Sequence, residues 1–249
     1  PITVGDALVS HPGVWADVVT TNPPFGKRSS ITVIGEDGSA EKDDLSYERD
    51  DFWVTTSNKQ LNFLQHIRSI LKTTGRAAVV LPDNVLFEGG AGETVRRRLL
   101  DECDVHTVLR LPTGIFYASG VKANVVFFDR KPPQDSPWTK EVWFYDLRTN
   151  MHFSLKKNPL RYEDLADFVA CYNPENRHQR TETERFKRFS YEDIVARDKV
   201  NLDITWLKDE SLDDIENLPE PAVIAAEIVE NLRAALDQFE EVAAKLNGA

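Results

Sequence analysis

A continuous apolar run that directly follows a stretch with helical spacing constrains the fold of this chain more than any other feature. Residues 76–82 read Arg-Ala-Ala-Val-Val-Leu-Pro, without the polar alternation of a sheet that faces water. Before this run, apolar side chains recur every three or four positions over residues 56–73, and Thr74-Gly75 marks the end of that helix. Residues 16–22 indicate another buried strand. We therefore predict an α/β protein whose sheet is covered on both faces.

The elements that follow extend the pattern to β-α-β-α-β-β. A glycine-rich loop at residues 89–92 leads into a helix over 93–103, and such a loop is either a flexible hinge or a phosphate cradle. Strands over 105–111 and 123–129 are joined by a short connection, which favours an antiparallel pair. This order is half of a doubly wound domain with an antiparallel strand at its end, and residues 143–147 add an edge strand.

Three regions of the chain differ in their patterning. Residues 1–150 carry the strand and helix patterns. Residues 151–221 are polar and irregular, and their basic side chains, among them Lys156 and Lys157, form either a solvated face or a contact with DNA phosphates. Residues 222–249 show a heptad seam. This seam predicts a long helix that packs on its own domain or docks on another subunit.

Composition narrows the class of protein. The formal net charge is −11, but residues 209–249 hold 11 Asp/Glu against 2 Lys/Arg, so the rest of the chain is nearly neutral. Global charge therefore neither supports nor excludes nucleic-acid binding. With no apolar run long enough for a membrane span, no leader peptide and two widely separated cysteines, we expect a cytoplasmic protein without disulfides. The chain starts with Pro1, and we interpret it as a fragment of a longer protein.

The chemistry of the sequence centres on Asn22-Pro23-Pro24-Phe25, which follows the first strand and is called the tetrad below. The Asn22 side-chain oxygen and the Pro23 carbonyl can both accept hydrogens from one planar amino group, in a turn that the prolines make rigid. Phe25 can lie against the ring that carries this amine. Such a pocket suits a flipped adenine, and the alternative is a proline-terminated turn without chemistry. Residues 26–51 are predicted to form a long loop at the mouth of this site.

With these elements in order, the chain resembles the methyltransferase subunit of type I restriction–modification systems, a family of S-adenosylmethionine-dependent N6-adenine DNA methylases. The resemblance covers residues 2–130, with looser similarity beyond. It rests on the tetrad and on four further segments in order, at residues 56–61, 75–87, 111–116 and 120–124. The resemblance implies the C-terminal half of a Rossmann-like methyltransferase sheet, followed by an irregular region and a long C-terminal helix.

The resemblance also implies roles for individual residues. The tetrad would hold the target amine and stack on the base, with catalysis resting on alignment and electrostatics. Asp6, in the segment Val-Gly-Asp, would contact the adenine amine of the cofactor S-adenosylmethionine. Phe116 would be either a second aromatic ring near the flipped base or a core residue at a turn. Lys27 and Arg28 would meet DNA phosphates, and no metal is implied.

The chain departs from the family at its start. The glycine-rich motif for the methionine part of the cofactor precedes this region in the family, and none of the five residues before Asp6 forms it. We therefore interpret the chain as a C-terminal fragment whose cofactor site is incomplete, which binds S-adenosylmethionine weakly or not at all and is inactive alone. The implied partners are DNA, a sequence-specificity (S) subunit, a restriction (R) subunit and a second methylase (M) subunit. A protein-glutamine methylase, a ribosomal RNA methylase and a non-catalytic assembly module remain alternatives.

Overall fold

A computed structural model describes residues 4–26, 30–34, 40–44, 46–117, 120–210 and 229. The chain divides into two compact units, Pro1–Leu207 and Lys208–Ala249. The helix predicted over residues 222–249 lies outside the described residues, apart from residue 229. No helix in the described parts of the chain is long and apolar enough to cross a membrane.

The first unit alternates strands and helices along most of its length. Its strands are β1 (Ala16–Thr21), β2 (Ser30–Ile34), β3 (Ala40–Asp44), β4 (Leu71–Pro82), β5 (Cys103–Arg110), β6 (Ala123–Arg130), β7 (Glu141–Asp146) and β8 (Phe186–Ser190). Its α-helices are α1 (Lys59–Ile70), α2 (Asp83–Phe87), α3 (Ala91–Glu102), α4 (Ala166–Tyr172) and α5 (Tyr191–Val195). Short 3₁₀ turns cover Tyr162–Leu165 and Asp198–Val200.

Six of these strands form one mixed sheet in the order β1-β4-β6-β5-β7-β8. β1 is parallel to β4 and β5 is parallel to β7, whereas β6 is antiparallel to both of its neighbours. The α/β class and the antiparallel pairing of β5 with β6 are confirmed. The predicted position of the antiparallel strand is wrong, because β6 lies between β4 and β5 and not at the end of the sheet. β7 is not an edge strand either, since β8 pairs with it.

The pairing directions bring several chain segments to one edge of the sheet. β1, β4, β5 and β7 all run the same way, and β6 begins where they end. We call this the carboxyl edge; it carries the residues that follow or begin these strands, namely Asn22, Asp83, Leu111, Ala123 and Leu147. In open α/β sheets, ligands bind outside the carboxyl ends of the parallel strands. The opposite edge carries Lys131 and Lys140, after β6 and before β7.

The interior strands of the sheet are buried more deeply than its terminal strand β1. β5 and β7 are buried on both faces, but β1 alternates between half-buried and exposed, and Val18 is 50% exposed. The prediction of a buried first strand in a fully covered sheet is therefore wrong at β1. β1 is the terminal strand of the six, and its Val18 and Thr20 line an open cavity of about 460 Å³.

The segment predicted as a long loop over residues 26–51 contains an antiparallel hairpin. β2 pairs with β3 from Ser30 opposite Asp44 to Ile34 opposite Ala40. The β2 sequence Ser-Ile-Thr-Val-Ile is rich in β-branched residues, which favour strands. Its acidic and glycine-rich surroundings obscured this signal.

The boundary between α1 and β4 also differs from its prediction. α1 begins after Asn58, whose side-chain oxygen accepts the amide hydrogens of Gln60 and Leu61, and the helix ends at Ile70. Gly75 does not end the helix but lies in β4, where a β-carbon would come within 2.9 Å of the Ala16 carbonyl oxygen. Glycine is therefore required there by the close approach of β1.

The glycine-rich loop before α3 packs around an arginine of its own helix. Arg96 is 1% exposed, and a β-carbon at Gly92 would lie 3.1 Å from its Nη1. Its guanidinium donates to four main-chain carbonyls, those of Val85, Glu88, Lys199 and Val200. These contacts tie residues 199–200 to α2 and α3, and Gly92 leaves room for the guanidinium.

Residues 151–210, expected to be irregular, contain α4, β8 and α5. β8 extends the sheet by pairing with β7, and Leu202 and Ile204 join the core cluster that also contains α1 and α3 side chains. The compact unit therefore continues to Leu207 and does not end near residue 150. The residues between these elements are the irregular part of the region.

His66 on α1 makes the stability of this unit depend on pH. It is 8% exposed, and its Nδ1 lies 3.1 Å from Nη1 of Arg49. Burial and the Arg49 charge lower the pKa of His66 to about 4, although the Asp51 carboxylate partly offsets them. The folded pKa lies below the unfolded value of about 6.5, so this contribution to stability is complete above pH 6.5 and is lost as the pH falls toward 4.

We expect His66→Gln to flatten part of the acid-induced loss of stability. Urea denaturation at pH 7, 5.5 and 4 measures the free energy of unfolding, and the His66-dependent part of its decrease is expected to be up to about 3 kcal/mol. His152→Gln is the control, because His152 is exposed. Identical pH profiles for His66→Gln and the parent chain would contradict the assignment.

Candidate functional site

The tetrad lies at the carboxyl edge, immediately after β1. Asn22 is exposed, and its side chain makes no hydrogen bond to any residue in the described parts of the chain. Pro23 is buried, Pro24 is exposed and Phe25 is half-buried. An asparagine side chain has one oxygen acceptor and two N–H donors. The tetrad therefore presents an amide that can hydrogen-bond to a ligand. The backbone that carries this amide is anchored by a buried proline.

Two aromatic side chains meet beside the tetrad. The rings of Phe25 and Phe116 have centroids 5.4 Å apart and an interplanar angle of 66°, an edge-on arrangement that aromatic pairs favour. Both rings are half-buried and pack against an apolar cluster that includes Leu109 and Leu111. The structure thus brings Phe116 to the tetrad, and the ring also serves the packing of its loop.

Gln60, in the first turn of α1, holds the backbone of the tetrad through a hydrogen bond. Its side chain is buried, at 2% exposure, and its Nε2 donates to the Phe25 carbonyl oxygen at 2.6 Å. Its Oε1 accepts from Nδ2 of Asn84 at 2.8 Å. Sequence reasoning did not single out Gln60 as a site residue. The sequence signal that could have identified it is a polar residue at a core-facing position of an amphipathic helix.

Arg148, just after β7, contacts both ends of the loop between β5 and β6 that carries Phe116. Its guanidinium contacts both carboxylate oxygens of Asp83, at 2.7 and 2.9 Å. It also donates to the carbonyls of Leu111 at 2.9 Å and Ala123 at 2.8 Å, the two ends of that loop. The ends of this loop, called the Phe116 loop below, are therefore held together by one cation whose side chain is only 10% exposed.

The charge of Asp83 is stabilised by the same contacts. Burial opposes its ionisation, but hydrogen bonds from Arg148 and from Nδ2 of Asn124, at 2.8 Å, outweigh this effect. The pKa of Asp83 is consequently lowered below its usual value. Asp83 is therefore ionised at neutral pH, and its contacts with Arg148 and Asn124 hold the starts of α2 and β6 to the end of β7.

The other residues predicted for the site are less closely connected to the tetrad. Asp6 is exposed; its Oδ1 accepts from the Leu8 amide at 2.9 Å and its Oδ2 from the Tyr47 hydroxyl at 2.5 Å. Its cofactor role remains a prediction. Lys27 and Arg28 lie outside the described residues. Across the described ranges, no group of three or more His, Cys, Asp or Glu side chains is placed to hold a metal ion.

Comparison with known proteins relates this chain to a protein family. Residues 2–211 match the family model described as N-6 DNA Methylase. The chain is 41% identical over 263 residues to the StySPI methylase subunit of a type I restriction enzyme from Salmonella potsdam, with 93% of this chain and 47% of the relative covered. It is also 41% identical over 266 residues to the EcoKI methylase subunit from Escherichia coli strain K12, with 94% and 47% covered.

A solved structure shares the fold at similar identity. The crystal structure of the type I restriction enzyme EcoKI M protein aligns with a TM-score of 0.70 and 39% identity. That alignment covers 97% of this chain and 53% of the other. The chain therefore spans about half the length of the relatives it matches.

Proposed function

The chain belongs to the N-6 DNA methylase family, and we propose on this basis that it forms the target-base side of a DNA methyltransferase. The reaction transfers a methyl group from S-adenosylmethionine to N6 of adenine in duplex DNA. The observation that carries this proposal is the exposed Asn22 amide at the carboxyl edge, on a rigid turn beside the paired rings of Phe25 and Phe116. Methylase subunits that are 41% identical to the chain come from type I restriction enzymes, which supports action within such a complex.

The tetrad acts on the target adenine by holding its amine. The Asn22 side-chain oxygen and the Pro23 carbonyl accept the two N6 hydrogens, which shifts electron density onto N6 and fixes its direction of attack. Phe25 and Phe116 provide apolar surface for the extruded base. When bound, S-adenosylmethionine would supply a methyl group on a positively charged sulfur; its carbon–sulfur bond would break as the N6–methyl bond forms, and the neutral thioether S-adenosylhomocysteine would leave. The amine proton is lost to water after the new N–C bond forms, so no covalent enzyme intermediate is required.

Asp6 fits a contact with the adenine amine of S-adenosylmethionine. Each of its carboxylate oxygens accepts one hydrogen bond, from Leu8 or Tyr47, and a carboxylate oxygen has a second lone pair. We propose that the rest of the cofactor site comes from residues outside this chain, because the chain spans only about half of its relatives. Calorimetric titration of the 249-residue chain with S-adenosylmethionine tests this; micromolar binding would contradict it.

The proposed partners follow from the same relatives. We propose that DNA, an S subunit, an R subunit and a second M subunit associate with the whole protein. Lys27 and Arg28 would meet phosphates beside the extruded nucleotide, and residues 222–249 would dock on another subunit. Deletion of residues 222–249 followed by co-purification with the S subunit tests the docking role, and unchanged assembly would refute it.

Methyl transfer by the full-length subunit with its S subunit tests the central proposal. Labelled methyl groups from S-adenosylmethionine are offered to unmethylated duplex, hemimethylated duplex, ribosomal RNA and protein. We expect label on duplex DNA, recovered as N6-methyladenine after digestion. Label on glutamine side chains or on ribosomal RNA alone would instead support one of the alternative methylase classes.

In the full-length subunit assembled with its S subunit, Gln60→Leu is expected to slow methyl transfer without unfolding the protein. The substitution leaves the Phe25 carbonyl and the Asn84 amide without their buried partner, which should lower the free energy of unfolding by about 1–3 kcal/mol. Loss of the anchor under the tetrad should reduce the rate by about 10- to 100-fold, because small misplacements of reacting groups have large effects.

Gln65→Leu is the matched control for this prediction. Gln65 lies on the same helix, is 1% exposed and hydrogen-bonds the main chain of Val54 through both ends of its amide. It should lose similar stability while its methyl-transfer rate per folded molecule stays near the parent value. Equal rate losses in the two variants would show that Gln60 has no specific role at the tetrad.

A further inference from the structure

The loop that carries Phe116 rests directly on the segment that follows β7. Gly114 has a φ of 82°, and a β-carbon there would lie 2.2 Å from the Phe153 carbonyl oxygen. The two backbones therefore touch, and only glycine permits this approach. Residues 112–117 and 153–158 together form one surface beside the tetrad, which we call the rim.

The second half of the rim is a hydrogen-bonded turn. The Ser154 amide donates to the Asn158 carbonyl at 2.8 Å, and the Ser154 hydroxyl oxygen accepts the amide hydrogens of Lys157 at 3.2 Å and Asn158 at 3.0 Å. Nδ2 of Asn158 donates to the His152 carbonyl at 2.6 Å. The exposed side chains of Lys156 and Lys157 thus project from an ordered backbone.

The first half of the rim ends in an aromatic side chain with almost no protein contact. Tyr117 is 98% exposed, whereas its neighbour Phe116 is half-buried against Phe25. A tyrosine side chain buries a large apolar area when something covers it. Tyr117 has no packing role in the fold, so its ring is available to a ligand that reaches the tetrad.

The rim is free of carboxylates. Between Arg110 and Asp129 the only charged residue is Lys122, and residues 147–162 contain four Lys/Arg and no Asp or Glu. Arg148 is already paired with Asp83, but Lys156 and Lys157 have no ion pair to a described residue. In a chain with 41 Asp/Glu, this local excess of positive charge favours a polyanion.

We propose that Tyr117, Lys156 and Lys157 bind the DNA duplex on either side of the extruded adenine. This inference rests on the proposed function. Extrusion of a base leaves its neighbours unstacked, and an aromatic ring beside the pocket can stack on them. The two lysines contact backbone phosphates, which positions the duplex without reading its sequence.

The stacking role is tested by base extrusion in the full-length subunit assembled with its S subunit. The duplex carries 2-aminopurine at the target adenine, and its fluorescence rises when the base leaves the stack. We expect Tyr117→Ala to lower the extruded fraction and to weaken binding about 5- to 100-fold. Tyr117→Trp should retain both, and Tyr162→Ala is the control because Tyr162 is 75% exposed outside the rim.

The phosphate role is tested by the salt dependence of duplex binding. Removal of two phosphate contacts in Lys156→Ala/Lys157→Ala should reduce the slope of log K against log salt by about 1.8, at about 0.9 per contact. Lys131→Ala/Lys140→Ala removes the same charge from the opposite edge of the sheet and should leave the slope unchanged.

These measurements separate the inference from the proposed function. If the parent assembly methylates duplex DNA but both rim variants behave like their controls, the inference is wrong and the function stands. If the parent assembly binds duplex with the expected rim effects but transfers no methyl group to it, the rim stands and the methylase assignment is wrong. If only the Tyr117 variant or only the Lys156/Lys157 variant differs from its control, the proposed role of the other group is refuted.

Discussion

Asn22→Ala in the full-length subunit assembled with its S subunit should reduce the rate of methyl transfer to adenine by about 10²–10³ while the protein remains folded. The variant lacks the side-chain oxygen that holds one N6 hydrogen, so the amine is neither polarised nor aligned. Asn22 is exposed and its side chain bonds no residue that the structure describes, so the free energy of unfolding should change by no more than about 0.5 kcal/mol. Single-turnover transfer to hemimethylated duplex measures the rate, and urea denaturation measures stability.

Two further substitutions at Asn22 separate the acceptor from the shape. Asn22→Leu keeps a similar shape without the oxygen and should be as slow as Asn22→Ala. Asn22→Asp keeps an acceptor oxygen and should retain more activity than either. Parent-like transfer by Asn22→Leu would show that the amide does not hold the amine, and the tetrad would then be a structural turn.

The fold was predictable where its signals are local. The short connection between β5 and β6 correctly implied their antiparallel pairing, and the helical spacing correctly located α1. The position of β6 between β4 and β5 could not be predicted, because strand order depends on pairings between residues far apart in the chain. The exposure of β1 was missed for a similar reason, since an apolar run does not reveal whether its strand is terminal in the sheet.

The residues of the candidate site were likewise predictable only where their sequence signals are local. The tetrad is contiguous in sequence and Phe116 stands in a motif of its own, so the sequence alone could predict both as site residues; the structure shows that the Phe25 and Phe116 rings are in contact. Gln60 reaches the Phe25 carbonyl across 35 positions and Arg148 reaches Asp83 across 65. Such supports have no local signature, because an arginine that closes a loop looks the same in sequence as one that faces water.

The contact between Arg148 and Asp83 leads to the largest expected effect on stability. The two side chains are only 10% and 15% exposed. Arg148→Met leaves the Asp83 carboxylate without its cation and the carbonyls of Leu111 and Ala123 without their donor. Removal of one partner of a buried ion pair typically costs about 3–5 kcal/mol, and we expect a loss of that size in urea denaturation at pH 7.

A double-mutant cycle isolates the ionic part of this loss. Asp83→Asn/Arg148→Met removes both charges, so it should be less destabilised than the sum of its single variants, by about 1–3 kcal/mol. Arg148→Lys keeps a positive charge but cannot contact two carboxylate oxygens and two carbonyls together, and it should fall between Arg148→Met and the parent. Strict additivity in the cycle would show that the loss comes only from packing and from the loop carbonyls.

The pH dependence of the same variants gives an independent check through Asp83. In the parent chain the pKa of Asp83 is lowered, so its ionised contribution is present above the unfolded value and is lost as the pH falls through the lower folded value. In Arg148→Met, burial without the cation raises that pKa, and the carboxyl can relieve its burial by binding a proton. The stability difference between parent and variant should therefore be largest at neutral pH and shrink as the pH falls toward 3. A difference that stays constant with pH would place the Arg148 effect on the loop carbonyls, and the Phe116 loop would then depend on hydrogen bonding alone.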